Sequence, residues 1–270
     1  MLIWLPPSEG KNAPERGPAL SLKSLSRPSL TAARRAVADA LVALGSGPQA
    51  AATLKVGARI DLSVNEVLAS APCAPASSLF TGVLFEAIEA VTPRAWESAG
   101  AGGISIFSGL FGVLSPADVV PDHRLAMGVS LPGFGVLSTW WAPRLDKALR
   151  EEAADQVVID ARSGPYRAAC KAPWARVWEL RVVREADGKR SVISHDAKRW
   201  RGAVTGMLLA SGGYSASETT ECEQALTNAA RSVMLHDARG AKHRVIDVEF
   251  GPEKKAKQGG TTRALTLVTK

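Results

Sequence analysis

The chain has 270 residues, 46% hydrophobic and 22% charged, with a formal net charge of +7 and three cysteines. No run approaches the roughly 18 uncharged apolar residues of a membrane-spanning helix, and MLIWLPPSEGK turns polar too soon for a secretory signal. Cys73, Cys170 and Cys222 are odd in number and outside any CxxC pair, which argues against a disulfide framework or a thiolate zinc site and for a cytoplasmic protein without a membrane partner.

Met1–Leu5 reads as a buried strand leaving its sheet at Pro6-Pro7. Residues 11–28 are rich in Pro, Gly and Ser and read as a loop. Thr31–Leu44 is helical, with Ala33, Val37, Leu41 and Leu44 on one face and Gly45 as C-cap. Short helical pieces follow from Thr53 to Trp96, cut by Pro72, Pro75 and Pro93, so residues about 29–98 form a helical insertion. Ile104–Phe107 and Val157–Ile159 are further buried strands. Strand-like runs then cluster at Val177–Val183, Ser191–His195, Val245–Phe250 and Ala264–Thr269, with Asp187-Gly188 as a hairpin turn. Between them lie a helix over about 200–210, ending at Gly212-Gly213, and a second over Ser217–Leu235, with Ser215 and Glu218 spaced as a capping box. Lys254–Gly260 is a polar turn. The pattern predicts an α+β fold: a single compact mixed-sheet domain over residues 1–270 with a helical subregion.

Polar residues and glycines gather just past three of the buried strands. PPSEGK follows the first, where Glu9 and Lys11 suit an acid–base or ion-binding pair and Gly10 lets backbone approach a ligand. It is not a Walker A loop, which needs two spaced glycines before Lys-Ser or Lys-Thr. Ser108-Gly109 follows the second strand, with Gly112, Asp118, Asp122, His123 and Arg124 behind it. His123 reads as a surface histidine. Arg124, beside apolar Leu125 and Met127, is a held guanidinium meeting either a phosphate or a structural partner, Asp118 or Asp122. DARSGPY follows the third strand with Asp160, Arg162, Ser163 and Tyr166. If these strands are neighbours, the three loops meet at one site.

Positive charge is concentrated. From Ala161 to Val204 there are eleven Lys/Arg against four Asp/Glu, which fits either a polyanion partner or a solvated face of alternating charge. In KRWRGAVTGMLL, Lys198, Arg199 and Arg201 sit at the predicted helix start. Cations oppose the macrodipole there, so either an anion binds or the boundary lies earlier. Trp140-Trp141, Trp174, Trp178 and Trp200 suit base stacking or, more simply, core packing. There is no GxSxG elbow, HExxH or GxGxxG motif, and His195, His236 and His243 lack the company of metal ligands. Neither a cofactor nor a metal is expected.

Five ordered segments resemble the YaaA peroxide stress protein family: MLIWLPPSEGK, FSGLFGVLSPADVVPDHRLAMG, Trp140-Trp141, VVIDARSGPYR and KRWRGAVTGMLL. The matched positions are Lys11, Ser108, Gly109, Arg124, Met127, Ser163, Tyr166, Lys198, Arg201 and Gly202. The resemblance implies a bacterial cytoplasmic protein of the hydrogen peroxide response, with a helix-hairpin-helix-like element beside a positive DNA-binding cleft. That element would fall over Thr53–Leu68, where Gly57 makes the hairpin and Lys55 and Arg59 reach phosphates. The expected function is DNA binding by a monomer, largely independent of base sequence, through Lys11, Lys55, Arg59, Arg124, Arg162, Lys198, Arg199 and Arg201. The alternative is an enzyme acting on a small anionic or nucleotide-like ligand, with Glu9, Lys11, Ser108, Asp160, Ser163 and Tyr166 as catalytic candidates. A third reading is a stress factor working through a protein partner.

Overall fold

Three apolar runs far apart in the chain, Leu2–Leu5, Ile104–Ser108 and Val157–Asp160, lie side by side in the centre of one sheet. The structure is a computed structural model that describes residues 1–270 apart from Ala58, Asp187, Ser194 and Ala238, and of His195 the backbone alone. In chain order, strand β1 (Leu2–Leu5) precedes helices α1 (Thr31–Leu44) and α2 (Pro48–Leu54), strand β2 (Cys73–Pro75), and helices α3 (Ala76–Leu79) and α4 (Val83–Val91). Strands β3 (Ile104–Ser108), β4 (Gly112–Leu114), β5 (Val119–Pro121), β6 (Ser130–Leu131) and β7 (Gly135–Val136) follow, then helix α5 (Leu137–Ala153). The remainder is β8 (Val157–Asp160), α6 (Gly164–Ala168), β9 (Arg176–Ala186), β10 (Lys189–Val192), α7 (His195–Ala210), α8 (Thr219–Ser232), β11 (Met234–His236), β12 (Lys242–Phe250), β13 (Lys254–Lys255) and β14 (Thr261–Thr269).

The main sheet runs β11-β12-β14-β9-β8-β1-β3-β4. Its middle is parallel: β1 pairs with β3 and β8, β8 with β9, and β9 with β14. Antiparallel β4 flanks it on one side, and antiparallel β12, with β11 beyond it, on the other. Central parallel strands are covered on both faces, which is why β3 and β8 are buried at every position. One apolar cluster runs from Met1 to Leu267 and takes in α1, α4, α5, α7 and α8. The fold is therefore α+β with a mixed sheet. Among the described residues, 29–98 hold the α-helices α1 to α4, short 3₁₀ turns and the strand β2, which pairs with β5.

Several local expectations change. α1 has the expected ends and Gly45 closes it at φ 70°, but its buried face is Arg34, Val37, Ala38 and Leu41. Arg34 is fully buried and donates to the carbonyls of Phe111, Ser26 and Val113 at 3.0, 2.8 and 2.7 Å, pinning α1 to the β3–β4 hairpin. Ser191–His195 is not one strand: β10 ends at Val192 and His195 already opens α7. Ala186 pairs with Lys189 across the expected hairpin, where Gly188 has φ 71° and Asp187 lies outside the described residues. The capping box belongs to Glu218 and Glu221, so α8 begins at Thr219. Over Thr53–Leu68 there is the end of α2 and a 3₁₀ turn, Ser63–Asn65. Among the described residues, the second α-helix of a helix-hairpin-helix does not form there.

A cavity where three parallel strands end

β8, β1 and β3 are adjacent and parallel, so their C-terminal ends open on the same edge of the sheet. Ligand crevices in open α/β sheets form at such an edge. Here it carries a cavity of about 670 Å³. β1 contributes Ser8, Glu9 and Lys11 to its wall. β3 contributes Ser108 and Gly109, and Tyr166 arrives from the segment after β8. His123, Arg124 and Leu125 enter from beyond β5, and Leu54, Lys55, Val56, Arg59 and Ile60 from the end of α2, with Phe80 against them.

The chemistry of SGLFG explains the close fit around β3. The Ser108 hydroxyl accepts the amides of Leu110 and Phe111 at 3.3 and 3.2 Å and so holds the turn. A Cβ on Gly109 would stand 2.4 Å from the Leu125 carbonyl oxygen, so only glycine allows the two backbones to meet there. Gly112 takes φ 73°, open to glycine at little cost.

Arg124 is held on both sides. Its backbone N–H donates to Asn65 Oδ1 at 2.8 Å, and Asn65 Nδ2 returns a bond to the Arg124 carbonyl at 3.1 Å. One guanidinium nitrogen meets Asp122 and the His123 carbonyl. Asp118 is elsewhere, accepting from Ser26 and Ser115. A guanidinium has five N–H donors, so Arg124 keeps donors for a ligand.

Lys11 pairs its backbone with Phe80 and lays its ammonium 5.6 Å from the centre of that ring. Among the described residues its Nζ reaches only the carbonyls of Ser8 and Glu9, each at 3.4 Å. Burial and then the Arg124 charge lower its pKa to about 8. Burial likewise pushes the Tyr166 hydroxyl up to about 12, so it stays protonated. The hydroxyl oxygen accepts the Met127 amide at 3.5 Å.

His123 corrects the expectation of a surface histidine. It is 2% exposed, edge-on to Phe80 and Phe111, with Nδ1 2.9 Å from the Pro121 carbonyl. Burial, then the Lys11 charge, holds its pKa well below 6.5, despite the bond to Pro121. The ring is therefore neutral, Nδ1–H donates, and Nε2 is left as an acceptor. The unfolded chain takes up a proton near pH 6.5 that the folded chain refuses. Stability from this group is complete above that pH and falls as pH drops below it. Between pH 7 and 5.5 the loss should be roughly 1 kcal/mol. Urea unfolding should show this slope in the wild type and its absence in His123→Phe. Parallel pH profiles would exclude the buried neutral ring.

The sequence profile described as Peroxide stress protein YaaA matches residues 1–225. The chain belongs to this family. Relatives include a UPF0246 protein of Streptomyces coelicolor, 40% identical over 220 residues, 78% of this chain and 84% of the relative. Another, from Corynebacterium efficiens, is 35% identical over 247 residues, 88% of this chain and 97% of the relative.

Not every residue singled out in this YaaA-family chain meets at the cavity. Glu9, Lys11, Ser108, Tyr166, Lys55, Arg59 and Arg124 line it. Asp160, Ser163 and Arg162 do not. Ser163 is exposed ahead of α6. Arg162 is fully buried, its guanidinium bonded to Asp160 at 2.8 and 2.9 Å and to the carbonyls of Tyr166 and Cys170, with the Trp4 and Phe107 rings packed against it. Four of its five N–H donors are taken inside the protein and none of the side chain is exposed, so Arg162 stands in the core and not on the cavity wall. Burial raises the Asp160 carboxyl, but Arg162 and Arg167 outweigh this and hold it below its ordinary value.

Lys198, Arg199 and Arg201 also lie off the cavity wall. Because α7 starts at His195 with Asp196 in its first turn, these cations sit beyond the helix start, and the macrodipole argument for an anion lapses. Arg199 donates to the His236 carbonyl at 2.7 Å and Arg201 to that of Ala161 at 3.4 Å, while Lys198 is exposed. Much of the basic segment is paired: Arg167 and Arg181 with Glu179, Arg184 with Asp196, and Arg190 with Glu185 and Glu249. Trp141, Trp174, Trp178 and Trp200 are core residues. Sequence reading missed Asn65, the His123 ring and the apolar wall of Leu54, Val56, Ile60 and Phe80. A buried Asn within LSVNEVL leaves no periodic signal, and the wall is assembled by folding from separate segments.

No helix of the described residues is long and apolar enough to cross a membrane, and among them no cluster of His, Cys, Asp or Glu could hold a metal ion.

Proposed function

We propose that the chain serves the peroxide-stress role for which its family is named by binding a small organic anion in the strand-end cavity. One observation carries this: Lys11, Lys55, Arg59 and Arg124 share an otherwise largely apolar hollow with a single wall carboxylate, Glu9. Its volume of about 670 Å³ suits a drug-sized molecule. The preferred ligand has a phosphate, sulfonate or carboxylate for the cations and a flat apolar body for Phe80, Leu54, Val56 and Leu125. Tyr166, Ser108 and His123 offer polar groups to orient it.

Calorimetry with 1-naphthyl phosphate tests this. The expected result is one site per chain, weakened roughly 10- to 100-fold in Arg124→Ala, as for loss of a charged hydrogen bond worth about 1.5–3 kcal/mol. Absence of binding, or equal binding of uncharged 1-naphthol, would remove the reading.

Nucleic acid is a second reading because Lys55 and Arg59 are exposed as well as lining the cavity, where a phosphate backbone can reach them from outside. A duplex spreads its charge at about 1.7 Å per unit and needs a track of cations. If DNA is the partner, affinity must fall steeply with salt, and Lys55→Ala and Arg59→Ala must each reduce the log–log slope by about one. A flat slope would leave the small anion alone.

A further inference from the structure

We infer that Lys11 is the nucleophile of the cavity and forms an imine with a carbonyl-bearing organic anion, an aldehyde or ketone that also carries a phosphate. This rests on the small-anion reading of the site and adds to it the ligand's reactive group.

The placement of Lys11 is the first support. A lysine that serves only as a counter-ion faces a carboxylate. Among the described residues, none lies within ion-pair distance of Lys11, whose Nζ touches only two backbone carbonyls at 3.4 Å each. Its aliphatic stem is fixed by the backbone bridge to Phe80, and its amine sits by that ring at the cavity wall. The nearby charges are Arg124, Asp122 and Glu9. Asp122 is already engaged by Arg124. Desolvation beside another cation is the setting that activates lysine amines. With the pKa lowered to about 8, the free-amine fraction near neutrality exceeds that of an exposed lysine by about two orders of magnitude.

The rest of the cavity supplies what the addition requires. Arg124, with Lys55 and Arg59, takes the phosphate and leaves the carbonyl to Lys11. The lone pair of the free amine attacks the carbonyl carbon, and a C–N bond forms as the C=O π pair moves to oxygen. That oxygen takes a proton while the nitrogen loses one. Tyr166, protonated and with its hydroxyl oxygen accepting the Met127 amide, is the donor on the cavity wall, and neutral His123 offers Nε2 as acceptor. The carbinolamine oxygen takes a second proton and leaves as water, the nitrogen pair closes the C=N bond, and the remaining N–H proton is given up, replacing the one consumed. The sum is amine plus carbonyl giving imine plus water, with nothing oxidised or reduced. The apolar wall disfavours the returning water.

Pyridoxal 5′-phosphate is a suitable probe because it joins an aldehyde, an aromatic ring and a phosphate. Low probe concentration, borohydride reduction and peptide mapping should place the label on Lys11 at least about tenfold above any exposed lysine, given its larger free-amine fraction. Pyridoxine 5′-phosphate, which lacks the aldehyde, should bind by calorimetry and protect Lys11. Lys11→Arg keeps a cation there but cannot form an imine, so it should lose the label whatever its affinity for pyridoxine 5′-phosphate. Label spread over surface lysines while pyridoxine 5′-phosphate still binds would overturn the imine and leave the anion site standing. Failure of both compounds to bind would remove both.

Discussion

Asp160→Ala is expected to destabilise the protein by about 3–5 kcal/mol, the usual result of stripping one partner from a buried ion pair. Asp160 is 1% exposed and Arg162 0% exposed. Both carboxylate oxygens accept from the Arg162 guanidinium, one also accepts the Arg162 amide at 3.0 Å, and Arg167 adds a bond at 3.2 Å. Without the carboxylate, Arg162 keeps its two carbonyl acceptors and its aromatic neighbours but remains a bare cation in the core. For a chain of this size the melting temperature should fall by roughly 10 °C. Asp160→Ala combined with Arg162→Met should recover part of the loss, because no charge is then stranded. A loss below about 1 kcal/mol in Asp160→Ala would mean that water reaches the pair. The consequence for the cavity is indirect. Arg162 Nη1 donates to the Tyr166 carbonyl at 3.0 Å, so the pair at the end of β8 fixes the segment that delivers the Tyr166 hydroxyl. Asp160 is thus a positioning residue, and Asp160→Asn should weaken 1-naphthyl phosphate binding less than Arg124→Ala does.

DARSGPY shows how far sequence could go. Polar residues clustered after a buried strand do mark a strand end beside the cavity, and that much is legible because short apolar runs bounded by Gly and Pro are strong signals. What each polar residue does is not legible. Asp160 and Arg162 satisfy each other inside the core, Ser163 faces solvent, and Tyr166 alone turns to the cavity. The same limit applies to Arg34 and Arg35. They are adjacent and chemically identical, yet the helix phase sends Arg34 onto three carbonyls of other segments that no local pattern announces. His123 follows the same logic: its burial depends on Phe80 and Phe111, brought in from elsewhere in the chain. α7 starts at His195 and not near residue 200, because the strand-like run Ser191–His195 draws His195 into the preceding element although Asp196 suits a first helical turn.

Gly202→Ala should be nearly as damaging, and here two effects of opposite sign compete. In an exposed helix, Gly→Ala gains about 1 kcal/mol of helix propensity. At Gly202 the added Cβ would stand 2.1 Å from the Leu84 carbonyl oxygen and 2.9 Å from its carbon. These are backbone atoms of α4 and cannot rotate aside. Four residues on, a Cβ at Gly206 would come within 2.9 Å of the Ile88 carbonyl oxygen, and Thr92 reaches across to donate to the Gly206 carbonyl at 2.8 Å. The two glycines therefore form the seam along which α4 and α7 touch backbone to backbone. Relieving the clash means moving one helix off the other, and overpacking of this kind costs typically 1–3 kcal/mol and occasionally more. With backbone as the obstacle, the expected loss is about 3 kcal/mol, so the clash wins over propensity. Gly164 is the control, since a Cβ there meets nothing within 4 Å and its substitution should be close to neutral. α4 begins just past Phe80, so Gly202→Ala should also loosen 1-naphthyl phosphate binding through that ring. Equal melting temperatures for Gly202→Ala and Gly164→Ala would show that the helices can part without cost, and the cavity wall behind Phe80 would then have to be anchored by something other than this seam.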